Sequence, residues 1–240
     1  MDAYKIPDAI ILCGGLGTRL KSVQPDLPKV LTPIGDLALI DILISQLTKA
    51  GINRIILSLG YHSEAVVDYV ANIENPNFDI ITVTETQPLG TGGALKLACS
   101  KSQSECFLVI NGDSYTDINP SDLLEFHVKY ESFVTMLLVR VEDSTQYGSV
   151  VVDSSGLIKS FNEKSKIENS EGLVNAGMYV IDRLVLKKIK DGEAVSLERD
   201  IFPGLIGDGF NGYISDSKFI DIGTPETFFE AEQFFSTVKS

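Results

Sequence analysis

The chain has 240 residues, 44% of them hydrophobic and 22% charged, with a mean hydropathy of +0.13; this suits one α/β domain with a full core, two small domains being the alternative. A formal net charge of -13 argues against a nucleic-acid partner, whose affinity comes from a basic surface that neutralises phosphates. No apolar run is long enough to span a bilayer and no basic n-region leads into a long apolar stretch, so no membrane partner is expected and the expected location is cytoplasmic.

No low-complexity tract or Pro/Ser-rich linker divides the chain, which favours a single domain over 1–240 with halves 1–120 and 121–240. Residues 9–13 (AIILC) read as a buried strand that ends in glycines. Residues 40–50 place Ile42, Leu43, Leu47 and Ala50 at helical spacing, and Gly51 stops the pattern. A strand follows at 54–59, a helix at 62–70, a strand at 80–84, a helix at 92–99 and a strand at 106–110, which runs into Asn111-Gly112-Asp113. This alternation predicts a parallel sheet with helices on both faces. Ligands bind such sheets where strands end, and the unusual loops 13–20, 85–92 and 111–117 fall at those ends.

The second half changes grammar. After a helix at 122–130 come strand-like runs at 133–141, 147–152, 157–161 and 175–181, the middle two joined as a hairpin by Asp153-Ser154-Ser155-Gly156. Helices are expected at 183–190 and 196–201, then a short strand to Asp221, and Thr224 as the N-cap of a last helix. Cys13 and Cys106 sit in apolar runs and are expected to be buried; with Cys99 they make no paired framework and no metal-ligand spacing. His62 and His127 fall on predicted helices and are expected at the surface.

The densest signal is Leu12-Cys13-Gly14-Gly15-Leu16-Gly17-Thr18-Arg19-Leu20. A strand ending in closely spaced glycines lets backbone N–H groups approach a phosphate. Thr18 adds a hydroxyl, and Arg19 a permanently charged planar fork suited to phosphate oxygens. Two other glycine motifs fit less well. A Walker-A loop needs Gly-Lys-Ser/Thr where Gly17-Thr18-Arg19 stands, and a dinucleotide fingerprint needs a glycine where Leu20 stands. A few residues on, Lys29 lies between Pro28 and Pro33, so the lysine rides on stiff backbone.

Gly-Gly-x-Gly-Thr-Arg-Leu followed by Pro-Lys-x-Leu-x-Pro-Ile-Gly resembles the signature of the sugar nucleotidyltransferases, which make NDP-sugars from a nucleoside triphosphate and a sugar 1-phosphate. The resemblance implies a Rossmann-like three-layer sandwich, the nucleotide-diphospho-sugar transferase fold, with a mainly parallel sheet and a β-rich sugar-binding insertion. It implies that Leu12, Gly14, Gly15, Gly17 and Thr18 hold the nucleotide's phosphates, and that Gln87, Gly90 and Thr91 of Gln87–Ala94 hold base and ribose. It implies Mg²⁺, with Mn²⁺ able to substitute, on Asp113 of Asn111-Gly112-Asp113 and on Asp221 of Phe219-Ile220-Asp221-Ile222-Gly223-Thr224. Two carboxylates suit a hard, oxygen-seeking cation. On the sugar side it points to Tyr147 and Gly148, to Glu163 and Lys164 of Phe161-Asn162-Glu163-Lys164, and to Asn175. Arg19, Lys29 and Asp113 are then the catalytic set, acting by position and charge on an in-line displacement.

Within that family the motif set most resembles the heptose 1-phosphate guanylyltransferase branch, so GTP and a manno-configured heptose 1-phosphate are the expected partners. Mannose 1-phosphate guanylyl transfer and glucose 1-phosphate thymidylyl or uridylyl transfer are the alternatives, and a homodimer is left open. A non-catalytic regulatory protein of the same fold is the rival from another class.

Overall fold

The computed structural model describes residues 6–15, 20, 27–73, 77–144, 147–162 and 172–238. In chain order the elements are β1 (Asp8–Cys13), a small hairpin of β2 (Pro33–Ile34) and β3 (Leu37–Ala38), α1 (Leu39–Lys49), β4 (Arg54–Leu59), α2 (Ser63–Val70), β5 (Asp79–Thr84), α3 (Gly90–Cys99), β6 (Cys106–Asn111), β7 (Ser114–Thr116) and α4 (Pro120–Lys129). The second half adds β8 (Val134–Val141), β9 (Ser149–Val152), β10 (Ile158–Asn162), β11 (Gly172–Asp182), β12 (Phe210–Ser215), β13 (Phe219–Asp221) and α5 (Pro225–Val238).

The apolar runs of the first half become the parallel block: β6, β1, β4 and β5 lie side by side, all pairing in parallel. Because successive side chains on a strand point to opposite faces, each run feeds two cores. Ala9, Ile11, Ile55, Leu57, Leu108 and Ile110 pack on the face that holds α1, and Ile10, Ile56, Phe107 and Val109 on the face that holds Leu95 and Ala98 of α3. Helices therefore cover both faces, as the alternation of runs predicts.

The second half extends the same sheet. β11 pairs antiparallel with β6 over Met178–Asp182, then passes a register shift between Asn175 and Tyr179 and pairs with β9 through Leu173 and Val174. β8 adds antiparallel to β11, and β12 adds parallel to β8. The block is thus parallel in the first half and mixed in the second. β1 stands between β4 and β6, so the chain winds away from it in both directions. In open α/β sheets the crevice beyond the strand ends at such a switch point is where ligands bind.

Helix ends follow ordinary capping chemistry. Asn119 accepts the Ser121 N–H at 3.1 Å ahead of Pro120, the first residue of α4. Thr224 accepts the Thr227 N–H at 3.3 Å at the start of α5. Other expectations need correction. Residues 183–190 form a 3-10 turn at Arg183–Lys188. Residues 196–201 form a π-helical turn at Leu197–Ile201, followed by a 3-10 turn at Phe202–Leu205 in which Pro203 offers no N–H. His127 is buried. It continues the stripe of Leu123 and Leu124 on α4, bonds Thr135 Oγ1 at 2.9 Å, and burial pushes its pKa down to about 4. Cys99 is the buried thiol, while Cys13 and Cys106, at the two ends of their strands, are partly exposed.

Candidate active site

At the switch point a cleft of ≈ 240 Å³ opens beyond the C-terminal ends of β1, β5 and β6. From the expected set it gathers Leu12, Gly14, Gly15, Lys29, Gly90, Thr91 and Asp113. It also brings in Cys13 and Asn111, which the motifs do not single out as site residues, and Glu85, the carboxylate of the loop 85–92 that the sequence offers as an acceptor for a guanine edge. Among the described residues nothing lies within 4 Å of where a Gly15 side chain would begin. Gly17, Thr18 and Arg19 lie outside the described residues.

Glu85 reaches back from the end of β5 into a slot between two strand ends. A Cβ at Gly60 would stand 2.6 Å from its Oε1, and one at Gly14 3.1 Å. Its other oxygen accepts the Leu89 N–H at 2.9 Å. Burial raises its pKa and the Leu89 bond opposes this. Gly60 is therefore a structural requirement of the cleft, and its meaning is visible only once β4 and β5 are paired. Asn111 contributes a side-chain Oδ1 that is buried without a hydrogen-bond partner among the described residues, an acceptor left for something in the cleft.

Lys29 opens a 3-10 turn, Lys29–Leu31, whose next two residues, Val30 and Leu31, are buried. The Leu31 N–H returns to Pro28 O at 2.8 Å and the Thr32 N–H to Lys29 O at 2.9 Å. So anchored, its Nζ meets Asp113 Oδ2 at 2.8 Å, with 15% and 32% of the two side chains exposed. Asp221 arrives from far downstream. β13 pairs antiparallel with β7, Asp221 opposite Ser114, and the Ile222 N–H donates to Asp113 O at 2.7 Å. The ribbon thus sets the two aspartates of the distant motifs beside one another. Among the described residues there is no group of three or more His, Cys, Asp and Glu that could hold a metal ion.

The loop expected at 85–92 runs into α3 at Gly90. Its glycines make room for another stretch of chain. A Cβ at Gly90, whose φ is +68°, would lie 2.6 Å from Val195 O, and one at Gly93 2.8 Å from Glu193 O. Val195 O accepts the N–H groups of Gly92 and Gly93 at 2.8 and 3.3 Å, and its N–H donates to Leu89 O at 2.8 Å. A helix N-terminus ordinarily attracts phosphate through its unpaired N–H groups. Here two of those groups in α3 are already bonded to a carbonyl, Val195 O. Thr91 uses its hydroxyl within the protein, donating to Glu198 Oε2 at 2.7 Å and accepting the Leu197 N–H at 2.8 Å. Gln87 is exposed, does not line the cleft, and donates to Gly192 O at 3.2 Å.

On the expected sugar side, Tyr147 packs edge-on against Phe219 at 5.6 Å, and its pKa is raised by burial and then by the nearby Asp221. Gly148 O accepts the Asn175 N–H at 3.2 Å. The Asn175 side chain works within β11: Nδ2 donates to Tyr179 Oη at 2.7 Å, and Oδ1 accepts the Gly177 N–H at 3.0 Å. Tyr147 and Asn175 thus stand beside the aspartates and the bulge of β11, outside the cleft lining. Glu163 and Lys164 lie outside the described residues.

A family profile described as nucleotidyl transferase matches residues 8–237. The D-glycero-alpha-D-manno-heptose 1-phosphate guanylyltransferase of Aneurinibacillus thermoaerophilus is 35% identical over 227 residues, covering 94% of this chain and 97% of that protein. The mannose-1-phosphate guanylyltransferase of Mycobacterium tuberculosis is 36% identical over 224 residues, 92% of this chain; the chain spans only 62% of that relative's length. The crystal structure of HddC from Yersinia pseudotuberculosis has a TM-score of 0.86 at 33% identity, covering 96% of this chain and 100% of the other. A second structure of HddC, complexed with GMP-PN, has a TM-score of 0.84.

Proposed function

Because the chain belongs to the nucleotidyl transferase family, we propose that it joins the GMP portion of GTP to a D-glycero-D-manno-heptose 1-phosphate and releases pyrophosphate. The observation that carries the reading is the meeting of Lys29, Asp113 and the Asp221 ribbon at the switch-point cleft, beside the glycine turn. Residues 1–120 supply the nucleotide side in this reading, and 121–240 the sugar side. No helix of the described residues is long and apolar enough to cross a membrane, which fits a cytoplasmic biosynthetic enzyme.

The donor set suits Mg²⁺. Two carboxylates and the unbonded Asn111 Oδ1 are hard oxygen donors, and phosphate oxygens and water complete such a shell. Asp113 and Asp221 would hold the ion, and bound there it would neutralise charge on the α-phosphate. Gly14, Gly15, Gly17, Thr18 and Arg19 would hold the β- and γ-phosphates. Lys164 would place the sugar phosphate, and Glu163, Tyr147 and Gly148 the sugar. An oxygen of the sugar phosphate attacks the α-phosphorus in line. The new O–P bond forms as the bond to the β-phosphate oxygen breaks, and pyrophosphate carries away the electron pair. The attacking oxygen is already ionised at neutral pH, so no residue is needed as a base.

Base selection follows from the same geometry. With phosphates at the β1 turn, the base would lie toward β5 and α3. Glu85 stands there with one oxygen accepting the Leu89 N–H, and would have to turn from these contacts to meet the base. Guanine offers N1–H and an exocyclic amino group on one edge, a pair that a carboxylate accepts together. A base without both donors leaves a desolvated acceptor unpaired. Support for the heptose comes from the relative matched over 97% of its own length; mannose 1-phosphate is the competing acceptor, on the similarity to the mycobacterial enzyme. The test is kcat/KM for GTP, ITP, UTP, dTTP and CTP crossed with heptose, mannose and glucose 1-phosphates. GTP with the heptose is expected to lead, and ITP, lacking the amino group, to lose about tenfold or more. A preference for UTP or dTTP with glucose 1-phosphate contradicts the guanylyl reading.

A further inference from the structure

Residues 192–198 lie across the loop that precedes α3 and the first residues of that helix, exchanging hydrogen bonds with them in both directions. Gln87 Nε2 reaches Gly192 O, the Gly92 and Gly93 N–H groups reach Val195 O, and the Val195 N–H returns to Leu89 O. The space that side chains would take at Gly90 and Gly93 is filled by this segment's backbone. The contacts end in a relay centred on one carboxylate oxygen. The Leu197 N–H donates to Thr91 Oγ1 at 2.8 Å, and Thr91 Oγ1 donates to Glu198 Oε2 at 2.7 Å. From the other side the Arg199 N–H donates to Ser196 Oγ at 3.2 Å, and Ser196 Oγ to the same Oε2 at 2.9 Å.

We propose that Glu198 is a positioning residue, which fixes the Gly90–Thr91 turn of the cleft by accepting the Thr91 hydroxyl. Three physical points converge on it. A carboxylate oxygen accepting two hydroxyls makes charge-assisted bonds, stronger than the neutral ones around it. Glu198 sits in the π-helical turn Leu197–Ile201; such turns are rare and frequent at functional sites. Thr91 lines the cleft, yet its hydroxyl is turned to Glu198, so what it presents to a ligand is set from behind. Thr91 itself becomes the intermediary, and the backbone of the turn is the surface that meets the nucleotide.

The inference rests on the reading above that this turn faces the nucleotide, and a double-mutant cycle separates the two. The quantity read is the dissociation constant of GTP with Mg²⁺ in the absence of sugar phosphate, measured by calorimetry. Glu198→Ala is expected to weaken binding about tenfold in the natural protein and less than about twofold when Thr91 is already valine, because the interaction energy is carried by that contact. Thr91→Ser, which keeps the hydroxyl, is expected to bind as the natural protein does, and KM for the sugar phosphate is expected to stay unchanged in every variant. If Glu198→Ala does not fold, Glu198→Gln in the same cycle reads the coupling, since its amide oxygen accepts a single weaker bond. Additive losses overturn the positioning role, and so does a Glu198 variant that raises only the KM for the sugar phosphate, which makes Glu198 a sugar ligand. A Thr91→Val protein with unchanged affinity overturns the positioning role and leaves the nucleotide reading standing, whereas a natural protein that binds no GTP overturns that reading.

Discussion

Asp113→Asn is expected to lower turnover by about a hundredfold or more, the scale of removing a principal electrostatic stabiliser, while leaving the fold intact. The substitution keeps shape and backbone: Asp113 O still accepts the Ile222 N–H, so the β7–β13 ribbon still forms. What is lost is the charge. The amide is a poor ligand for Mg²⁺, and Lys29 loses the partner it holds at 2.8 Å. Asp221→Asn is expected to fall on the same scale, since the ribbon places Asp221 opposite Ser114 on the same side of the cleft. Steady-state rates with Mg²⁺ and Mn²⁺, with circular dichroism to show an unchanged fold, measure the effect. Full activity of Asp113→Asn, or of the natural protein in excess EDTA, would remove the metal from the account.

Lys29→Met is expected to have two opposite effects. Turnover should drop by about a hundredfold, because on the proposed reading Lys29 is a catalytic cation that stabilises charge near the α-phosphate. The affinity of the nucleotide-free protein for Mn²⁺ should rise by about tenfold, the size of a partly buried ion pair lying between the exposed and buried cases. The reason is the Lys29–Asp113 contact itself: without ligands, each proposed participant neutralises the other. A cation arriving at Asp113 must displace Lys29, and a triphosphate gives the displaced ammonium a new partner. Cation and nucleotide should therefore bind better together than apart. Mn²⁺ titration by electron paramagnetic resonance separates contact from a general field effect, because in about 1 M salt the screening length is about 3 Å and only the contact survives. An unchanged Mn²⁺ affinity in Lys29→Met shows that the ion pair does not gate the site.

Much of the first half is legible in the chain because it is written in local chemistry. The runs at 9–13, 54–59 and 106–110 carry apolar residues on both faces, the pattern of a buried strand, and each ends at or beside a loop that lines the cleft. The aspartates stand at the ends of short β runs, and β13 joining β7 brings them together. Other features depend on partners far away in sequence. β12 carries the string FNGYIS, with little alternation to mark it, and is a strand because β8 offers it an edge. β7 has three residues and takes its form from β13. Gly60 and Glu198 have no motif of their own. One matters because Glu85 needs its space, and the other because Thr91, 107 residues away, points at it. The expectation of His127 at the surface fails because it continues the stripe of Leu123 and Leu124 on α4, and Thr135 Oγ1 bonds its ring.

The central claim is that this cleft couples two phosphorylated substrates with loss of pyrophosphate. It is tested most directly by mixing the purified protein with GTP, Mg²⁺ and D-glycero-D-manno-heptose 1-phosphate and following products by ³¹P NMR. The account predicts pyrophosphate and a GDP-linked sugar appearing in equal amounts, with neither formed when either substrate or the cation is left out. Inorganic phosphate and GDP formed without a sugar nucleotide, or no turnover with any triphosphate and sugar 1-phosphate in a protein that binds both, would contradict it.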